Sequence, residues 1–254
     1  MAGSQVADVI FCLDASGSMG PCFDALRKHI QSFVKGLESG VQSRWDLRLG
    51  LLAYQAGDSA GGGIFGFQGL VDSGMQLVTS LYRPKGAQSG VRYFTSDIGQ
   101  FVSALENVLV RGDEATFIAL DTALDFPWRD GAHCHRVVIV MTDEALETGI
   151  QVAAQTAKID DLIEKLHALR VKLFLVGPES EAYQSLCEAD RSEFQVLQDA
   201  HDGLENADFK QILAEIGKSV SVSALQEPAT PVKARRALFG QDKWTGVNAD
   251  ITGH

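Results

Sequence analysis

The sequence predicts an α/β fold, a doubly wound and mostly parallel sheet with one antiparallel edge strand. Two observations carry this reading. Short unbroken apolar runs rich in Val, Ile, Leu and Phe recur along the chain, as in strands buried on both faces. Between them lie segments whose apolar residues repeat with a helical period. Strands alternating with helices imply right-handed crossovers, and so parallel strands with helices on both faces of the sheet.

The elements follow in order. Residues 6–13 form the first apolar run. Phe23, Leu26, Ile30, Phe33, Val34 and Leu37 then share one helical stripe, and residues 47–54 make the second strand. Residues 57–74 hold seven glycines and read as a mobile loop or a short hairpin at a sheet edge. The edge strand is either 76–81 or 91–95. Ile98, Phe101, Val102, Leu105, Val108 and Leu109 form the next stripe, and a shorter helix covers 117–126. A strand at 137–141 precedes the stripe of Ile159, Leu162, Ile163, Leu166 and Leu169. Strands at 171–176 and 194–197 flank a short helix at 180–189. Phe209, Ile212, Leu213, Ile216 and Val220 line the closing helix.

From Gln226 the pattern stops. The remaining residues carry Pro228, Pro231, the basic group Lys233, Arg235 and Arg236, and the apolar anchors Leu238, Phe239 and Trp244. The chain therefore divides into a domain at 1–225 and a tail at 226–254, expected to dock on its own domain or on a partner.

Composition narrows the function. Hydrophobic residues make up 45% and charged residues 22% of the 254, enough for a globular core. The net charge of −11 disfavours nucleic acid and anionic membranes and suits metals or basic partners. No apolar run approaches the ~20 residues that span a bilayer. Met1 to Leu13 has no basic residue before its apolar stretch, and Asp8 interrupts that stretch, so it does not read as a signal peptide. Cys12, Cys22, Cys134 and Cys187 show no CxxC spacing and read as reduced thiols of a cytoplasmic protein.

In doubly wound sheets the ligand site lies beyond the carboxyl ends of the strands, where strand order reverses. The first strand ends in Asp14-Ala-Ser16-Gly-Ser18-Met-Gly. One carboxylate and two hydroxyls at alternate positions on this turn can face one concavity. Such hard oxygen donors suit Mg²⁺ or Mn²⁺ with water completing the shell. The strand at 137–141 runs into Thr142-Asp143-Glu144, which would bring Asp143 to face Asp14. The loop Gly112-Asp-Glu-Ala-Thr116 adds a hydroxyl where a helix starts.

These residues resemble the metal-ion-dependent adhesion site of the von Willebrand factor type A domain family. That site reads Asp-x-Ser-x-Ser, then a distant Thr, then a distant Asp, matched here by Asp14, Ser16, Ser18, Thr116 and Asp143 in the same order and strand context. The resemblance covers about residues 4–222. It implies that the serines and the threonine approach the metal, that the aspartates act through water, and that one position stays open for a partner's carboxylate. Glu144 stands where many members have Gly. A lone type A domain with a short tail looks like the bacterial stand-alone, TerY-like members, thought to act as adaptors beside kinases, phosphatases or MoxR-type ATPases. The resemblance implies a non-enzymatic, metal-dependent adaptor. The rival readings are a metal-dependent phosphatase-like hydrolase, a secreted adhesin and a scaffold without metal.

Other motifs are weaker. His133-Cys134-His135 has no second cluster to complete a zinc set, and Arg111-Gly112-Asp113 reads as a coincidental integrin-recognition tripeptide. No phosphate-binding P-loop or dinucleotide fingerprint follows the first strand.

Overall fold

A computed structural model describes residues 5–40, 44–57, 64–71, 74–79, 93–113, 115–129, 134–198, 200 and 204–225. The chain begins with β1 (Gln5–Asp14), α1 (Gly20–Gly40) and β2 (Trp45–Gly57). Next come β3 (Ile64–Val71), β4 (Gly74–Thr79), α2 (Ile98–Glu106) and α3 (Thr116–Leu124). The second half holds β5 (Cys134–Met141), α4 (Val152–Thr156), α5 (Ile159–Leu169), β6 (Val171–Gly177), α6 (Glu181–Leu186), β7 (Ser192–Val196) and α7 (Phe209–Leu225). The fold is α/β, with strand order β4-β3-β2-β1-β5-β6-β7. The five strands from β2 to β7 in that order are parallel.

β1 is central because its apolar residues are buried on both faces of the sheet. Val9, Phe11 and Leu13 face the layer of α1, α2 and α7, while Ile10 and Cys12 face the layer of α3, α5 and α6. All five are fully buried. β1 leads through α1 to β2 on one side and pairs with β5 on the other, so strand order reverses between β1 and β5. Asp14 is level with Tyr54 of β2, and Leu13 with Met141 of β5. The residues just beyond Met141 are thus level with Asp14 at the carboxyl rim.

Over 64–71 the glycine-rich stretch takes the second of its two expected forms, a hairpin at the sheet edge. Residues 64–71 form β3, antiparallel to β2, and β4 pairs antiparallel with β3. The expected edge strand at 76–81 is β4, of the same length but starting two residues earlier, whereas the alternative at 91–95 contributes a single bridge from Thr95 to Leu49 among its described residues. The stripe expected to run to Leu109 stops at Glu106, where Asn107 caps α2 and Leu109 turns to solvent. Residues 58–63 and the tail 226–254 lie outside the described residues, as does any docking of that tail.

α1 and α7 approach at two glycines. A Cβ on Gly36 would sit 2.5 Å from the Ala214 carbonyl oxygen, and one on Gly217 would sit 2.3 Å from that of Phe33. The contact offsets the usual cost of helical glycine, about 1 kcal/mol relative to alanine. Gly217→Ala is expected to lower stability by about 2 kcal/mol through overpacking. Urea unfolding measures this, and a more stable variant would contradict the close approach.

At the amino end of β1, Asp8 is fully buried. Arg48 donates to it through Nε at 2.8 Å and Nη2 at 2.6 Å. Arg129 donates through its backbone N–H and its Nε, each at 2.7 Å. Burial alone would raise the Asp8 pKa, but these bonds and the two guanidinium charges hold it below the ordinary value. A lowered folded pKa means that the stabilisation is fully present above the unfolded value near pH 4, and it is lost as pH falls through the folded one. Asp8→Asn should cost about 3 kcal/mol at pH 7, near the lower end for a broken buried pair because both arginines are partly exposed. The gap from wild type should shrink below pH 4, as read by denaturation across pH. A gap independent of pH would contradict the pairing.

Candidate metal centre

The loop after β1 is held by the backbone before any ligand is considered. Ala15 N–H donates to the Tyr54 carbonyl at 2.7 Å, and Arg111 N–H donates to the Ala15 carbonyl at 2.7 Å. Met19 is fully buried behind the loop and anchors it to the core. Ser16 is buried and Ser18 exposed, with their hydroxyl oxygens 3.2 Å apart. Spacing by two places both hydroxyls on one side of the turn.

The Asp14 carboxylate is fully buried. Ser16 N–H donates to Oδ1 at 2.7 Å, and the Thr142 hydroxyl donates to Oδ2 at 2.8 Å. These are neutral donors. Burial pushes the Asp14 pKa up to about 7; the Ser16 and Thr142 hydrogen bonds oppose that rise, and the Asp143 charge adds to it. Asp143 is 6% exposed and follows Thr142 directly. The same two aspartates also help push the buried Cys22 thiol up, after burial itself. Two carboxylates thus share one buried rim.

Thr116 is the first residue of α3 and is buried. The cap position falls to Ala115, which offers no side-chain bond, so Thr116 is not an ordinary helix cap. Gln155 of α4 does that work instead: its Oε1 accepts from Phe117 N–H at 2.9 Å. The Thr116 hydroxyl meets the Tyr54 hydroxyl at 3.0 Å and the Tyr183 hydroxyl at 3.2 Å. Thr122, the neighbouring hydroxyl, bonds back to the Ile118 carbonyl within the helix.

The structure therefore brings Asp14, Ser16, Ser18, Thr116 and Asp143 to one rim, at the carboxyl ends of β1 and β5 and the start of α3. Ser18 and Asp143 also line a cavity of about 770 Å³ with Glu144, Thr148, Glu179 and Leu197. Among the described residues no group of three or more His, Cys, Asp and Glu side chains forms a metal cluster. A site here rests on two carboxylates supplemented by hydroxyls. That donor set fits Mg²⁺ or Mn²⁺: all the atoms are hard oxygens, and a buried anion met only by neutral donors gains from a cation.

Sequence reasoning missed Thr142 as the partner of Asp14, and Tyr54, Tyr183 and Gln155 around Thr116. Thr142 was readable, since it is level with Asp14 once β1 and β5 pair. Tyr183 and Gln155 come from distant helices and left no local signal. The Arg111-Gly112-Asp113 tripeptide has a structural role. Asp113 exchanges backbone hydrogen bonds with Ala56 at 2.6 and 2.7 Å. Gly112 has φ +85°, and a Cβ there would meet the Ala56 carbonyl oxygen at 2.2 Å. Cys134 and His135 lie at the amino end of β5, away from this rim, and His133 lies outside the described residues.

No protein-family model matches the chain, and no curated protein matches it. Among solved structures it is similar to proximal thread matrix protein 1 from the mussel byssus, at 14% identity and TM-score 0.48. That match covers 86% of this chain and 47% of the other. A second crystal form of the same mussel protein gives 14% identity, TM-score 0.43 and coverage of 87% and 46%. The chain spans about half the length of this mussel protein in both structures.

Proposed function

We propose that this chain is a metal-dependent protein-binding module. Asp14, Ser16, Ser18, Thr116 and Asp143 would hold one Mg²⁺ or Mn²⁺, and the cation would offer an open position to a carboxylate on a partner protein. The observation that carries this reading is the buried Asp14 carboxylate, met only by neutral donors beside a second carboxylate, on a rim that opens to solvent at Ser18. The arrangement of these residues supports the likeness to the type A domain family read from the sequence.

The reading is one of binding and not turnover. When bound, the cation supplies a Lewis-acidic position for an anionic oxygen. The chain's own residues hold that position. Asp14 carries the charge, the Ser16 amide and Thr142 fix the carboxylate's orientation, and Gln155 fixes the start of the helix that bears Thr116. We place the module in the cytoplasm of a bacterial cell, as an adaptor in a signalling or assembly system beside a kinase, a phosphatase or a MoxR-type ATPase. Four cysteines outside any disulfide suit a reducing compartment, and among the described residues no helix is long and apolar enough to cross a membrane.

Titration calorimetry with Mn²⁺ alone tests the site. The wild-type chain should bind one ion, and Asp14→Asn should abolish binding while melting as a folded protein by circular dichroism. Equal binding by the two proteins would remove the metal reading.

A further inference from the structure

Thr116 sits inside a chain of buried hydroxyls whose direction is set by the last acceptor. Tyr183 Oη donates to the Glu144 main-chain carbonyl at 3.0 Å, and a carbonyl only accepts. A phenol has one proton, so Tyr183 cannot also donate to Thr116. The 3.2 Å contact between them therefore runs from the Thr116 O–H to Tyr183 Oη. With its proton committed, Thr116 Oγ1 can only accept from the Tyr54 hydroxyl at 3.0 Å. The order is Tyr54 to Thr116 to Tyr183 to the Glu144 carbonyl. Both tyrosines are fully buried or nearly so, which keeps water from breaking the chain.

From this geometry we infer that Tyr183 and Tyr54 are positioning residues that present the Thr116 hydroxyl to the cation as an acceptor, its proton held away on Tyr183. The inference rests on the metal reading above and names the residues that set one ligand of that site. A hydroxyl oxygen has two lone pairs; Tyr54 takes one, and one is left for the metal. With its proton donated to Tyr183, the Thr116 oxygen would face a bound cation as an acceptor, and the Glu144 carbonyl would stabilise the polarisation of that hydroxyl chain. The relay also joins the rim to α6, because Tyr183 packs against Phe117 and Phe194 at ring distances of 5.8 and 5.9 Å. The two tyrosines do unequal work: Tyr183 takes the Thr116 proton, whereas Tyr54 occupies a lone pair.

The test is a Mn²⁺ titration of the full chain, read by electron paramagnetic resonance, on wild type, Tyr183→Phe, Tyr54→Phe, Thr116→Val and the Thr116→Val/Tyr183→Phe double variant. Phenylalanine keeps the ring packing and removes only the hydroxyl. Tyr183→Phe should weaken binding about 10–100-fold, as for outer-shell partners of metal ligands. Tyr54→Phe should weaken it by roughly threefold or less. Thr116→Val should weaken it at least as much as Tyr183→Phe, and adding Tyr183→Phe to it should change affinity by less than about twofold. A purely structural role would give Tyr183→Phe the same loss in both backgrounds. That result, or equal losses from the two tyrosine variants, would overturn the relay and leave the metal reading intact. Wild-type affinity in Thr116→Val would overturn it whatever Tyr183→Phe does. Failure of the wild-type chain to bind Mn²⁺ would remove the metal reading and this inference together.

Discussion

Two aspartates on one buried strand set the terms for the rest of the molecule. Asp8 and Asp14 lie at opposite ends of β1, and both are fully buried. Burying a carboxylate is costly unless its charge is met. Asp8 is met by two guanidiniums, and its pKa lies below the ordinary value. Asp14 is met by an amide and a hydroxyl, and its pKa is pushed up to about 7. One end of the strand is electrostatically complete within the chain. The other is complete in hydrogen bonds but not in charge, which is the basis for proposing a cation there.

The surroundings of Asp14 keep the atoms in place and leave the charge unanswered. Strand register brings Tyr54 and Thr142 level with it. The Arg111–Asp113 segment is pinned to Ala15 and Ala56, so the approach to Thr116 starts from a fixed backbone. Gln155 caps α3 from another helix, which frees Thr116 from capping its own. Rigid first contacts backed by hydrogen bonds from distant elements are what a binding constellation requires.

Much of this was legible in the sequence because its physics is local. An apolar run buried on both faces announces a central parallel strand, and the site rule for such sheets points to the residues immediately after it. Asp14 ends β1, and Ser16, Ser18 and Asp143 come soon after strands, so their place at the carboxyl rim was readable from pattern, while their role as a metal set came from the family resemblance. Thr116 was placed correctly at a helix start, but the reason it sits there depends on Gln155 and two tyrosines more than thirty residues away in either direction. The arginine partners of Asp8 were equally hidden, since nothing local distinguishes Arg48 or Arg129 from a surface charge. The glycine-rich segment could be read only as a loop or an edge hairpin; the hairpin forms because strand pairing with β2 supplies order that glycine's own preferences oppose.

The unanswered charge at the carboxyl end of β1 marks the proposed cation site. Paramagnetic broadening of amide resonances by substoichiometric Mn²⁺ tests it most directly, because it locates the ion without reference to any activity. A cation bound there should broaden the loop after Asp14, Thr142–Glu144 and the start of α3, with the Asp8, Arg48 and Arg129 amides at the far end of the sheet unaffected. Broadening spread over the acidic surface, or centred away from Asp14, would contradict it.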